Sequence, residues 1–282
     1  MLSLVNLKKQ RDSVNELQNI VSVLKNFSVM QLRLLQQKKK ETAYSEKLER
    51  IFRIINLEYI VHPFLKERPG LPKVVVILTS DEGFTGELNT LLLEAAELRL
   101  KPEDRLIVLG EKGVNLLRSQ DRVFIRFERQ KDKELTYTDA RNLTQELAAA
   151  YMEGKIGRVD FIYPRFISLT KQIVVGLNLL PFYPQRVIKE ESRPEAASQQ
   201  VIIEPNLPFV VDILVKLWLT QRIYNIFSQA RLAHTAARVL QLEGSLQELD
   251  ERGKRLRRRY FKLLHSINDN KLHETLASRI CG

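Results

Sequence analysis

The sequence predicts an α/β chain with a long antiparallel coiled coil of N- and C-terminal helices plus a central Rossmann-like α/β domain. Three observations carry this reading. From about Leu232 to Ile280, apolar residues recur every seven positions in two interlocked rows, Leu232, Val239, Leu246, Tyr260, Ile267 and Leu242, Leu249, Leu256, Leu263. The steps from Val239 to Leu242, Leu246 and Leu249 alternate three and four, the spacing of a coiled-coil seam. A comparable segment opens the chain, where Leu7, Val14, Val21 and Leu35 form one row, with Ile20, Phe27 and Leu34 beside it and Leu17 and Leu24 between. Between the two ends, strand and helix patterns alternate, as a mostly parallel sheet requires.

Residues 3 to about 58 hold neither Gly nor Pro and keep helical periodicity, enough for a helix of roughly 80 Å. His62-Pro63 and Arg68-Pro69-Gly70-Leu71-Pro72 end it, because proline cannot continue a helix. Val74 to Thr79 is a continuous run of β-branched residues and one Leu and reads as a buried parallel strand. A helix over Glu87 to Leu100, a strand over Arg105 to Leu109, a helix over Lys112 to Ser119 and a strand over Val123 to Phe127 follow. Thr138 to Met152 reads as a helix with Thr138 as its cap, Val159 to Tyr163 as a fourth strand, and Phe166 to Leu179 as extended chain closing the sheet. Lys189 to Gln200 reads as an exposed loop and Val201 to Ile203 as a last short strand. Pro205 and Pro208 lead into the final helix from near Phe209. Gly244 and Gly253 lie inside that helix, each costing about 1 kcal/mol relative to Ala, and Gly253 falls on the seam, where a thinning or bend is expected. The implied organisation is an N-terminal coiled-coil helix over 1–61, a central domain over 72–205 and a C-terminal coiled-coil helix over 206–282.

Hydrophobic residues make up 44% of the 282 positions, enough to bury a core, and the single cysteine, Cys281, excludes an internal disulfide. No apolar run approaches the roughly 20 residues needed to span a bilayer; the best, Phe209 to Leu219, is short and carries Asp212 and Lys216. The start, Met1 to Val5, lacks the form of a secretory signal. The net charge of +11 is unevenly placed. Residues 1–56 hold 11 Lys/Arg against 5 Asp/Glu, residues 206–282 hold 13 against 7, and the middle holds 21 against 22. The positive excess therefore lies on the helical ends and implies an acidic partner along them.

The most distinctive loop runs Thr79-Ser80-Asp81-Glu82-Gly83-Phe84-Thr85-Gly86-Glu87-Leu88-Asn89, between a strand and a helix, where backbone amides can bind an anion. It is neither a Walker loop nor G-x-G-x-x-G, and Asp81 and Glu82 would repel phosphate. The competing reading is a tight turn with Asp81 as an Asx-type cap. His62, His234, His265 and His273 are scattered without metal-ligand spacing, and no triad arrangement is legible. Neither a catalytic residue, a metal site nor a cofactor is expected. Lys38, Lys39, Lys40 and Arg255 with Arg257, Arg258 and Arg259 form basic clusters on helices. A solvated face, a nucleic-acid surface and a dock for an acidic protein all remain open for them, although no aromatics interleave as a stacking platform for bases would need.

Together these parts resemble the gamma subunit of the F-type, rotary ATP synthases, over nearly the whole chain. Ser3-Leu4 through Arg11 to Ser13-Val14 is similar to the family's start. His62-Pro63 matches its H-P before the first strand. Ser80, Asp81, Gly83, Gly86 and Asn89 match S-D-x-G-x-x-G-x-x-N at the same spacing. Tyr163-Pro164-Arg165-Phe166 resembles Y-N-R-F, Glu204-Pro205 resembles E-P, and Ala236-Ala237-Arg238-Val239 resembles A-A-R-M. Glu16-Leu17-Gln18 is similar to the divergent N-type branch. The chain departs from the family at Leu264 to Asn270, where R-Q and I-T-x-E-L are expected and only Ile267 survives. Those polar residues latch the stalk to a beta subunit, so that latch is in question here. The chloroplast-type cysteine pair is absent.

The resemblance implies a non-catalytic central-stalk rotor that couples ion flow through a membrane c-ring to ATP synthesis or hydrolysis in a hexamer of alpha and beta subunits. An epsilon subunit is the further expected partner, nucleic acid is not, and the location implied is peripheral, on the cytoplasmic face of a bacterial inner membrane. The alternative is a basic coiled-coil adaptor or nucleic-acid-binding protein using the same helical ends.

Overall fold

The computed structural model describes residues 4–38, 48, 51–52, 62–120, 123–127, 134–183, 204 and 206–280. The expected loop at Lys189–Gln200 and strand at Val201–Ile203 lie outside the described residues, as does the first helix beyond Phe52. The chain forms two compact units, residues 32–237 and residues 1–31 with 238–282.

The larger unit is built on a five-stranded sheet. Its strands are β1 (Lys73–Leu78), β2 (Arg105–Leu109), β3 (Ile125–Arg126), β4 (Arg158–Ser168) and β5 (Lys171–Leu180). They lie in the order β3-β2-β1-β4-β5, parallel except for β5, which pairs antiparallel with β4. The expected extended segment at Phe166–Leu179 is thus two arms of a hairpin that turns at Leu169–Thr170. Its alternation continues through the turn, which hides the break from a periodicity reading.

Alternate residues of the central strand feed two cores, as a period of two dictates. Val75 and Ile77 join Leu106, Val108 and Ile162 beneath helix α2 (Leu88–Glu97) and helix α3 (Glu111–Ser119), through Leu92, Leu93, Val114 and Leu117. Val74, Val76 and Leu78 join Phe161 and Tyr163 on the other face, beneath Leu143, Leu147 and Tyr151 of helix α4 (Tyr137–Met152). Val211, Val215, Leu219, Ile223 and Ile226 complete this second core. They belong to the first part of helix α5, which spans Leu207–Ile280.

Helix α4 is capped by Thr136, not Thr138. The Thr136 hydroxyl accepts from the Asp139 amide at 3.2 Å, and the Asp139 carboxylate accepts from the Thr136 amide at 2.7 Å. Thr136 wins because an acidic residue three positions on completes the reciprocal box. His62 is also structural. Its Nδ1 accepts from the Phe64 amide at 3.3 Å at the head of a short 3-10 turn, Pro63–Leu65. Burial pushes its pKa below the ordinary histidine value, with Asp212 opposing.

The smaller unit pairs α1 (Leu4–Lys38) with the later turns of α5. Leu7, Val14 and Leu256 are buried together, with Leu249, Tyr260 and Leu263 packed on them.

Candidate functional site

The geometry of the helical pair follows from four contacts. Lys25 donates to Glu243 at 2.9 Å. A Cβ built on Gly253 would lie 3.7 Å from Val14 Cγ1. Arg11 stacks 5.6 Å from the Tyr260 ring centre, and Leu7 shares a cluster with Leu263. As numbering rises along α1 it falls along α5, so the helices run antiparallel. Gly253 leaves ordinary van der Waals room over Val14, and α5 stays helical through both Gly244 and Gly253.

One of the two N-terminal rows forms the seam. Leu7, Val14 and Val21 are buried, and Ser28, the next position of that row, is buried too, its hydroxyl donating to the Leu24 carbonyl at 2.8 Å. Sequence reading passed over Ser28 because it is polar. It can hold the position because its donor is satisfied within its own helix. The second row does not face the partner helix. Ile20, Phe27 and Leu34 are 57%, 53% and 50% exposed. From Val14 to Ile20 is six positions, roughly 120° around the helix, so one straight partner cannot cover both rows.

The strand-to-helix loop, within the larger unit, is a closed hydrogen-bonded scaffold. Asn89 Oδ1 accepts from the Ser80 amide at 3.0 Å, and Asn89 Nδ2 donates to Ser80 Oγ at 2.8 Å and to Thr85 Oγ1 at 2.9 Å. Ser80 Oγ donates to the Glu82 carbonyl at 2.9 Å. Asp81 accepts from the Glu111 amide, at the start of α3, at 3.2 Å. Gly86 has φ 58°, which favours glycine, whereas a Cβ at Gly83 would meet only the end of the Lys112 side chain at 3.7 Å. The motif residues are therefore brought together as a brace. The Ser80 and Leu88 amides are used internally.

The basic clusters are separate features. Arg257, Arg258 and Arg259 are exposed on α5, with the Arg257 guanidinium 5.8 Å from the Phe261 ring centre. Arg255 pairs with Glu251 at 3.5 Å and Lys254 with Asp250 at 2.7 Å. Lys38 closes α1, while Lys39 and Lys40 lie outside the described residues. Arg238 is half-buried beside the buried Ala236 and Ala237, and desolvation works against its charge. His234, on α5, has a ring nitrogen, Nε2, sealed from solvent without a hydrogen-bond partner among the described residues. Burial lowers its pKa to about 4, against the attraction of Asp81. Among the described residues no group of His, Cys, Asp and Glu is arranged to hold a metal ion.

Comparison with known proteins places this architecture. A family model described as ATP synthase matches residues 3–263. ATP synthase gamma chains of Mycoplasmopsis synoviae and Moorella thermoacetica are 27% and 26% identical over 263 and 259 residues, with 89% of each chain covered in both cases. A chain in the Euglena gracilis mitochondrial ATP synthase, in a structure of its OSCP, F1 and c-ring, shares the fold with a TM-score of 0.71 at 15% identity, covering 99% of this chain and 94% of that one. A chain of the Euglena gracilis rotor gives a TM-score of 0.67 at 15% identity, with 94% and 98% covered. With the family model spanning most of its length, this chain belongs to the ATP synthase family.

Proposed function

We infer that this chain works as the gamma-type central-stalk rotor of an F-type ATP synthase. The observation that carries the reading is the antiparallel pairing of α1 with the later part of α5, which joins sequence ends more than 200 positions apart, in a chain of this family. Torque must pass along the stalk without being lost to twisting. Two helices packed along a shared seam resist twist better than one, because turning either drags the other with it.

The subunit carries out no chemistry itself; catalysis is in the beta subunits. Its partners are the hexamer of alpha and beta subunits, the epsilon subunit and the c-ring. Orientation of the stalk forces the catalytic sites into different states, a mechanical form of coupling between sites. No helix among the described residues is long and apolar enough to cross a membrane. Attachment through the complex to the cytoplasmic face of a bacterial inner membrane is our proposal. Arg257, Arg258 and Arg259, with Lys38, Lys39 and Lys40, are proposed to meet acidic loops of the hexamer. The brace of Ser80, Asp81, Gly86 and Asn89 is proposed to hold the loop they share.

Reconstitution tests the function. Alpha and beta subunits combined with this chain should form a stable complex whose ATP turnover drives rotation of a bead fixed to the chain. A hexamer that excludes the chain, or turns over ATP with the bead still, overturns the reading.

A further inference from the structure

The chain approaches β1 through a short turn headed by a buried histidine. His62 Nδ1 accepts from the Phe64 amide at 3.3 Å. An imidazole can accept there only while Nδ1 carries no proton; an imidazolium has two N–H donors and no acceptor. A proton taken up by His62 therefore sets donor against donor at Phe64. Much rests on that turn. Phe64 is fully buried, and its carbonyl accepts from the Phe182 amide at 2.7 Å. The Tyr151 hydroxyl donates to the Lys66 carbonyl at 2.7 Å. The Phe182 ring lies 5.1 Å from that of Phe52 and meets Trp218 of α5 edge-on, with 4.8 Å between ring centres. Phe64 lies 6.1 Å from Tyr151 of α4.

The charges that act on His62 come from α5. Burial, the largest effect, keeps the ring neutral, while Asp212 favours the imidazolium and Lys216 opposes it. Lys216 Nζ donates to Asp212 Oδ2 at 2.7 Å, but Asp212 Oδ1 is sealed from solvent with no hydrogen-bond partner among the described residues. From α4 the titratable group in this cluster is Tyr151, whose phenol burial pushes up to about 12, so it stays neutral. On the turn's own segment, Glu67 accepts from the Tyr183 hydroxyl at 2.6 Å and Arg68 donates to the Tyr151 carbonyl. Asp212 is thus the one carboxylate in this neighbourhood with an oxygen unused, and a buried acceptor left unused gains from a charged donor.

We propose that His62 is an acid-sensitive clasp: on taking up a proton it gives up the Phe64 amide, pairs with Asp212 and frees the Pro63–Leu65 turn, loosening the aromatic cluster around Trp218 while the sheet stays folded. The direction follows from proton binding. In the closed turn the ring is held neutral. Once released it holds a proton at least as well as an ordinary histidine, near pH 6.5. The released state therefore binds more protons, so falling pH favours it, and above about pH 7 the closed turn is unaffected. Release stays local because the sheet keeps the core that Val75, Ile77, Val108 and Ile162 form on its other face. The clasp works within this chain and stands whether or not the rotor reading does.

Trp218 is the only tryptophan in the sequence, so its emission reports on this cluster alone. The test follows the emission and the far-UV circular dichroism of the full chain as pH is lowered from about 7.5 through the ordinary histidine range. The emission should shift to longer wavelength below about pH 6.5, reversibly, with the helical signal retained. His62→Asn keeps an acceptor oxygen where Nδ1 stands but cannot titrate, and its emission should not respond. Asp212→Asn leaves the bonds of the turn in place and removes the charge that favours the imidazolium, so the emission shift should move to lower pH. It carries the test even where His62→Asn folds poorly. An emission that stays constant in the parent overturns the proposal, and so does one that shifts only together with loss of the helical signal, which is global unfolding. A full response in His62→Asn, or a shift in Asp212→Asn at the parent's pH or above, overturns it as well.

Discussion

Lys25 and Glu243 meet at 2.9 Å although 218 positions separate them in sequence. Their ammonium and carboxylate flank the apolar seam of α1 and α5, with side chains 26% and 47% exposed. A pair so placed fixes register more than it adds stability. Water screens it, and two long side chains lose freedom to form it. A double-mutant cycle with Lys25→Ala and Glu243→Ala, read by denaturant unfolding, should return a coupling of about 0.2–1 kcal/mol. Val14→Asp, which buries a charge in the seam, should cost several-fold more, roughly 3 kcal/mol or above. A coupling as large as the Val14→Asp loss would show that the ion pair, not the seam, holds the helices.

The closeness of Val14 to Gly253 gives a covalent test of direction. A Cβ at Gly253 would lie 3.7 Å from Val14 Cγ1, so the two positions face each other at van der Waals distance and side chains there can meet. Val14→Cys with Gly253→Cys, in a Cys281→Ser background, should oxidise to an intramolecular disulfide. Cysteines at Val14 and Leu232, a pairing that a parallel arrangement would favour, should stay reduced. The reverse result would contradict the antiparallel pair.

Four of the five strands, the mostly parallel sheet and the seam were legible in the sequence because each is written as a periodicity. β-branched runs bounded by helix patterns mark buried parallel strands, and three-four spacing marks the seam. What escaped the reading was decided by geometry rather than pattern. Ile20 and Phe27 carry the same apolar signature as Val14 and Val21, and only the angle around α1 separates the exposed row from the buried one. Asp81 also reaches Glu111, thirty positions on, because the fold brings the head of α3 beside the loop. The left-handed backbone of Phe84 could not be read at all, since its neighbours Gly83 and Gly86 offered glycine as the expected carrier of positive φ.

The first turns of α5 belong to the core of the larger unit, and this sets where the chain can be cut. Val211, Val215, Leu219, Ile223 and Ile226 cover the sheet face formed by Val74, Val76 and Phe161. We propose that a piece spanning His62 to Ala237 will melt cooperatively with mixed α/β circular dichroism. A piece ending at Pro205 should melt lower or expose apolar surface to dye, because each large side chain it omits contributes roughly 1.5–3 kcal/mol of burial. Equal melting of the two pieces would show that this face needs no helix from α5.

His234 makes the fold sensitive to acid. Burial holds its pKa near 4, below the ordinary 6.5, so the folded chain keeps it neutral. In the unfolded chain it takes up a proton once the pH falls below about 6.5. Between those values the unfolded state binds more protons, so stability falls as pH falls and is constant above about 7. The loss attributable to His234 should be roughly 1–3 kcal/mol on descending from pH 7 to 4. His234→Gln should flatten this part of the profile, and an unchanged slope would assign the acid sensitivity to other groups.

Arg257, Arg258 and Arg259 are exposed on α5, and their number exceeds what neighbouring carboxylates engage. Asp250 and Glu251 already pair with Lys254 and Arg255. Exposed charges contribute little to folding, commonly under about 0.5 kcal/mol each. The triple replacement by Gln should therefore shift the melting temperature of the isolated chain by no more than about 2 °C. It should even relieve mutual repulsion among the three guanidinium groups. Assembly is a different matter, because long-range attraction to an acidic surface sets the rate of encounter and is felt most when counterions are scarce. The triple variant should join the hexamer of alpha and beta subunits about ten-fold more slowly at low ionic strength, with the difference closing as salt rises. Equal assembly rates at low salt would leave the cluster a solvated face. A difference that persists undiminished at about 1 M salt, where screening is nearly complete, would point to direct buried contacts instead of steering.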